Sequence, residues 1–340
     1  MNGNATFRPQ DTAVLSVTSV DAPVVKTSAE FDQIIGDSYE RNGLRPGMLA
    51  ALAGITERRW WEAGDDFVDG AIEAGRLAIE EAGIDPARIG LLVNTSVSRN
   101  HLEPSIAVKV HHELGLATHC LNFDLTNACL GFVNGMQLAA TMIDAGQIDY
   151  ALVVDGEGSR EPQENTLARL SQEDATAEDI LSQFATLTLG SGAAAMVLGR
   201  AGEHPEGHRV VGGASRSATH HHELCVGDFE KMRTDSQGLL VAGMSLAKEL
   251  WDEAGAEFDW TDMDRYIVHQ VSKVHTGKTA EALGIDKERI PLTFPTLGNV
   301  GPAAVAITLA KEAPSLERGD RVLMMGIGSG LNMTCLELTW

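Results

Sequence analysis

A chain of 340 residues with 44% hydrophobic content is long enough to bury one large core or two fused ones. Acidic side chains outnumber basic ones, 48 to 26, and the resulting net charge of −22 disfavours nonspecific binding to nucleic acid or to an anionic membrane surface. The four cysteines, Cys120, Cys129, Cys225 and Cys335, lack C-x-x-C or zinc-finger spacing, so neither a metal site nor a disulfide framework is expected.

The first twenty residues carry Arg8 and Asp11 where a signal peptide would need an apolar centre. No run approaches the roughly 20 unbroken apolar residues of a membrane span, so a cytoplasmic protein in a thiol-preserving compartment is expected. Residues 65–82 read as a helix, with Val68, Ile72, Gly75 and Ile79 on one stripe and Gly83 ending it. Leu91-Leu92-Val93 is a buried strand running into Asn94-Thr95-Ser96. A second strand near 121–123 leads through Asn127-Ala128-Cys129 into a helix over 130–145. Strands follow at 150–154 and 193–198. The polar, turn-rich stretch 201–207 (A-G-E-H-P-E-G) marks a seam between halves 1–205 and 206–340.

Beyond the seam the theme repeats. Residues 240–254 read as a helix, 266–268 as a strand ending at His269, 301–309 as a helix, and 322–325 and 334–338 as strands around the glycine loop 326–330. Both halves therefore place reactive side chains at the C-terminal ends of buried strands, where open α/β sheets put their sites. A duplicated α/β architecture is the expected fold class.

Cys129 stands between a strand and a helix, where the helix dipole and unpaired N–H groups would lower its pKa and supply a thiolate. A free cysteine there is equally a small buried hydrophobe. His269 could donate a hydrogen bond from neutral imidazole to a developing oxyanion, or be a satisfied core histidine. Asn299, in Gly298-Asn299-Val300-Gly301-Pro302, could donate to the same oxyanion or simply form a turn. The run His220-His221-His222 has no spaced ligands around it and reads as an exposed loop.

Taken together these residues form a pattern. N-A-C-x-G-F at 127–132, V-H-Q at 268–270, G-N-V-G-P-A at 298–303 and G-I-G-S-G at 326–330 resemble, in that order, the Cys-His-Asn site and glycine loop of the ketoacyl synthase III branch of the thiolase superfamily. Gly326 occupies the position of the second catalytic cysteine of degradative thiolases. Leu52 replaces the first entrance arginine of chain-initiating synthases, a departure that weighs against carrier-protein delivery. Asn94-Thr95-Ser96-Val97-Ser98-Arg99 followed by Leu102-Glu103-Pro104-Ser105 resembles the signature of OleA-type synthases.

That resemblance implies a thiolase fold, two duplicated α/β halves in a five-layer α-β-α-β-α arrangement. It implies a non-decarboxylative Claisen condensation of two fatty acyl-CoA molecules, giving a 2-alkyl-3-ketoacyl product on the way to an olefin or β-lactone. Cys129 would be the nucleophile, and the amides of Cys129 and Ser329 the oxyanion hole. His269 and Asn299 would stabilise the enolate. Glu103, crossing a homodimer interface, would be the base that the triad lacks, although read alone it is a loop glutamate near a helix start. Arg58, Arg59, Arg216 and Lys273 are candidate contacts for CoA phosphates, each equally a surface salt bridge. Metal and redox cofactors are not called for, and downstream lipid-biosynthesis enzymes would take the product. The same triad would serve a decarboxylative 3-oxoacyl-ACP synthase III using a malonyl donor or a hydroxymethylglutaryl-CoA synthase relative, and could persist in a non-catalytic subunit of a heterodimer.

Overall fold

The computed structural model describes residues 6–228 and 230–340. Its strands, in chain order, are β1 (Thr6–Phe7), β2 (Thr12–Asp21), β3 (Val24–Thr27), β4 (Glu57–Trp60), β5 (Ile89–Asn94), β6 (Leu121–Asp124), β7 (Tyr150–Glu157), β8 (Gly192–Arg200), β9 (His208–Ser217), β10 (Cys225–Gly227), β11 (Met232–Thr234), β12 (Arg265–Val268), β13 (Arg321–Gly328) and β14 (Asn332–Thr339). Nine of these form one path, β12-β13-β14-β9-β2-β8-β7-β5-β6, with β1 pairing off it onto β9.

The path is two similar sheets joined at a narrow place. From β2 outward the pairings run antiparallel to β8, antiparallel to β7, then parallel to β5. From β9 outward they run antiparallel to β14, antiparallel to β13, then parallel to β12. Between the two, β2 and β9 share only the pairs Ala13–Arg209 and Val14–His208. The turn-rich stretch 201–207 separates β8 from β9. The N-terminal β1, however, adds to the sheet of the second half, so the chain does not divide as cleanly as its sequence suggests.

Three apolar cores define the layers. Leu91 and Val93 of β5, with Val322 and Met324 of β13, face a middle layer built on the helices Gly131–Asp144 and Ala303–Glu312. Leu92 of β5 faces the other way, onto the helix Phe67–Ala82. Leu323 and Met325 of β13 likewise face the helices Ser236–Ala254 and Lys273–Leu283. Strands buried on both faces read as continuous apolar runs for this reason, and the period of two distributes each run between two cores. Each fully buried Leu, Ile or Val contributes about 1.5–3 kcal/mol relative to exposure. The result is helix, sheet, helix, sheet, helix.

Local signals place the helix ends. Asp66 caps the helix Phe67–Ala82 by accepting from Val68 N–H, and Gly83 closes it at φ 63°. Asp235 and Ser272 cap Ser236–Ala254 and Lys273–Leu283 in the same way.

Candidate active site

The sheet ends converge on a cavity of about 1380 Å³ whose lining includes Cys129, His269, Asn299 and Ser329. Each is delivered by a different element. Cys129 follows Ala128, a non-glycine residue at φ 45°, in a tight turn whose carbonyls accept from Leu130 and Gly131 N–H. The turn ends where the helix Gly131–Asp144 begins. The end of β13 packs directly against it. A Cβ on Gly328 would lie 2.6 Å from the Asn127 carbonyl, and one on Gly326 would lie 2.6 Å from Leu130 Cδ1. A side chain in place of Gly326 would therefore collide with the nucleophile's own helix, which gives the missing second cysteine a steric reason.

His269 follows β12 and is fixed through its backbone, donating N–H to the Met325 carbonyl at 2.8 Å. Its Nδ1 is buried and unpartnered among the described residues, and burial depresses the ring pKa to about 4, with a further push from His275. The imidazole is uncharged at neutral pH. Asn299 is held by its N–H to the Thr188 carbonyl at 2.9 Å, and its Oδ1 accepts from Gly301 N–H at 3.1 Å. With that oxygen engaged, the amide NH₂ is the end left to face the cavity.

The expected resting thiolate is not supported. Burial, then the charge of Glu157, then Cys225 and Asp155, push the Cys129 thiol up to about 12, and the local backbone amide opposes this only weakly. The helix terminus loses to desolvation and to nearby negative charge.

Those two carboxyl groups are the feature of the site that sequence reasoning missed. Asp155 and Glu157 close β7, both buried, and Glu157 lines the cavity. The signal was present in D-G-E-G at 155–158, where acids directly extend an apolar strand.

Of the four expected CoA contacts, Arg58 is corrected. Arg58 is 0% exposed. Its guanidinium donates to the Leu187 carbonyl (3.0 Å) and Ser28 Oγ (3.2 Å) and sits over the Phe31 ring, so it braces the chain beneath Asn299 and cannot reach a solvent-borne phosphate. Arg59 lines a separate cavity of about 290 Å³. Arg216 is paired with Glu253 and the Ser215 carbonyl. Lys273 is exposed at a helix start. The cations that do line the main cavity are Arg99, Arg160 and Lys231. Glu103 is exposed and does not line its own chain's cavity, although Asn100 and Leu102 do.

A description of the C-terminal region of 3-oxoacyl-[acyl-carrier-protein (ACP)] synthase III matches residues 254–340, and the synthase III description itself matches residues 123–163. An acyl-CoA:acyl-CoA alkyltransferase of Xanthomonas campestris pv. campestris is 42% identical over 97% of this chain and 99% of its own length. The chain belongs to the OleA family. A second alkyltransferase, from Shewanella oneidensis, is 37% identical over 94% of this chain and 96% of its own. A cysteine-to-serine variant of the OleA of X. campestris, solved with bound lauric acid and lauroyl-CoA, superposes with a TM-score of 0.95 at 42% identity. It covers 98% of this chain and 100% of that one. The five layers described above are thus the thiolase fold.

Proposed function

We propose that this chain is an acyltransferase that condenses two fatty acyl-CoA molecules without decarboxylation. The observation that carries the reading is the size of the cavity around Cys129. At about 1380 Å³ it exceeds the roughly 300–1,000 Å³ of ordinary small-molecule pockets, and it runs between helices past Leu240, Met244, Ile285 and Ile290. Likeness to a relative solved with lauroyl-CoA and lauric acid supports the same conclusion.

The steps follow from the site. Cys129 starts as a neutral thiol, so its attack on the first acyl-CoA requires a proton acceptor, and the uncharged imidazole of His269, which lines the same cavity, is suited to that. The new C–S bond forms as CoA departs with the proton, while the amides of Cys129 and Ser329 hold the oxyanion. The second acyl-CoA loses its α-proton to Glu103 of a second copy of the chain. His269 and Asn299 stabilise the enolate, whose carbon attacks the thioester and frees Cys129. The resulting 2-alkyl-3-ketoacyl chain leaves as the acid after hydrolysis. These steps call for no resident metal or redox cofactor. Arg160 and Lys231, at the cavity lining, take over the CoA-contact role from Arg58.

A homodimer is part of this reading. β6 is an edge strand, and its Leu121 (53% exposed) and Phe123 (36%) face outward beside the 97–105 segment, where Leu102 is 79% exposed. A second copy pairing there would cover them and receive Glu103. Free thiols support a cytoplasmic setting, and no helix among the described residues is long and apolar enough to cross a membrane. Lipid-biosynthesis enzymes would consume the product.

Incubation of the purified protein with long-chain acyl-CoA alone tests the reaction. Mass spectrometry is expected to find a β-keto acid of summed chain length. A strict requirement for a malonyl donor would instead establish the decarboxylative reaction. In E103Q, acyl-Cys129 is expected to accumulate without condensed product.

A further inference from the structure

Two buried carboxyl groups lie side by side at the end of β7 with no assigned part in the chemistry. Like charges in such a desolvated position do not both ionise, so the pair retains a proton. Burial raises both, and Glu157 is the member whose charge its neighbours favour. Its Oε1 accepts from Val97 N–H at 2.7 Å, and its Oε2 accepts from Ser98 N–H at 3.1 Å and Ser98 Oγ at 2.5 Å. Asp155 has one donor, Thr95 Oγ1 at 2.5 Å, and keeps the proton; burial and the charge of Glu157 push it well above the usual range.

The residues that Glu157 grips form the root of the 97–105 segment. Further along, Arg99 binds Asp124 at 2.6 Å, Asn100 donates to Asp66 at 2.8 Å, and the N–H groups of Ile106 and Ala107 return to Asp124 at 3.0 Å. Residues 101–104, with Glu103 among them, are exposed, and none of them has a side-chain hydrogen bond among the described residues. The segment is an arm clamped at its root and its far end, with a bare tip. On its other side Glu157 abuts the Asn299 loop, where a Cβ on Gly301 would fall 3.3 Å from Glu157 Cδ.

We propose that Glu157 is a positioning residue for the neighbouring subunit's site: by gripping Val97 and Ser98 it holds the arm so that Glu103 meets the other subunit's substrate. The proposal rests on the reading above that Glu103 crosses the dimer. A carboxylate suits the task because three donors converge on it. An amide would turn one N–H group toward another donor and release part of the arm. Misplacing a base by about 1 Å can cost on the order of 100-fold in rate.

Mixed dimers with two affinity tags test this. In the first arrangement one subunit carries C129A with E157Q and the other is unaltered. The surviving thiol then depends on the E157Q arm. Condensation is expected to fall about tenfold or more below a C129A/unaltered dimer, while acyl transfer to the surviving thiol stays normal. In the second arrangement C129A and E157Q sit on different subunits, so the surviving thiol receives an intact arm; loss of the nearby charge changes the reactivity of that thiol, and the ratio of condensation to acyl transfer is the readout expected to persist. A defect that follows the thiol's own subunit, equal defects in both dimers, or none in either, overturns the proposal. E103Q placed in the same two arrangements reads the crossing independently. Should its defect stay with its own subunit, the crossing has failed rather than the role of Glu157. If E157Q does not fold, S98A removes one of the three donors without a change of charge, and the same pattern is expected at smaller amplitude.

Discussion

The protonation of Cys129 can be measured directly, and it separates two opposing physical effects. With the thiol pushed up to about 12 from an ordinary 9.0, the thiolate is opposed by three pKa units, about 4 kcal/mol at 1.36 kcal/mol each. At pH 7 about one molecule in 10⁵ would then carry the thiolate. Iodoacetamide reacts with the thiolate, so its rate at Cys129 should climb about tenfold per pH unit from pH 7 to 10 without levelling. The urea-unfolded chain, by contrast, should level near the ordinary thiol value of 9.0. Mass spectrometry of the Cys129 peptide supplies the rates, and E157Q is expected to move the native curve toward lower pH because a negative charge is removed. A native profile that flattens at or below about pH 8 would show that the helix terminus prevails over burial, and would refute the reasoning.

The same thiols link to stability. Cys129, and Cys120 at about 11, bind their protons more tightly in the fold than in the unfolded chain. The stability they contribute is complete below about pH 8.5 and is lost as pH rises through 11 to 12, so urea midpoints should fall across that window more steeply than in C120A. R58M should cost about 1–3 kcal/mol in chemical denaturation, since it orphans the Leu187 carbonyl, with little change in the acyl-CoA KM. A large KM increase at unchanged stability would restore Arg58 as a CoA contact. G326C should lose about 1–3 kcal/mol through the clash with Leu130; a gain of thiolase-type cleavage at full stability would contradict the packing. Gly243 lines the cavity with only Ile327 Cδ1 near its open side, at 3.3 Å. G243L should therefore shift the preferred acyl chain toward shorter lengths, and equal turnover of long chains would refute that placement.

What could be read in the sequence was whatever depends on neighbours along the chain. The apolar runs at 91–93, 150–154 and 322–325 became β5, β7 and β13 because their strands are buried on both faces. The observed strands extend further, and the predicted glycine loop at 326–330 begins inside β13, since Gly326 and Gly328 still pair with Thr334 and Asn332. β2 and β9 went unread although they join the halves; Thr and Ser interrupt the apolar pattern of the mostly buried β2, and β9 is buried only toward its middle. Cys129, His269, Asn299 and Ser329 were picked out by local motifs, and the fold brings them to one cavity. Arg58 was misplaced because nothing local distinguishes an arginine buried over Phe31 from one in solvent. Asp155 and Glu157 were missed because their meaning lies in partners far along the chain, Thr95 for Asp155 and the 97–98 backbone for Glu157.

The narrow join between β2 and β9 bears on how the molecule could be cut. With two residue pairs spanning it, cohesion between the halves also draws on β1 paired with β9, on the backbone bonds around Asn299, and on the shared helical layer to which Phe132, Met136, Val305 and Leu309 belong. Proteolytic nicking at 201–207 would sever the polypeptide without unlacing that layer. The two fragments should stay bound through it, and new termini placed there would make a circular permutant with the catalytic cleft intact.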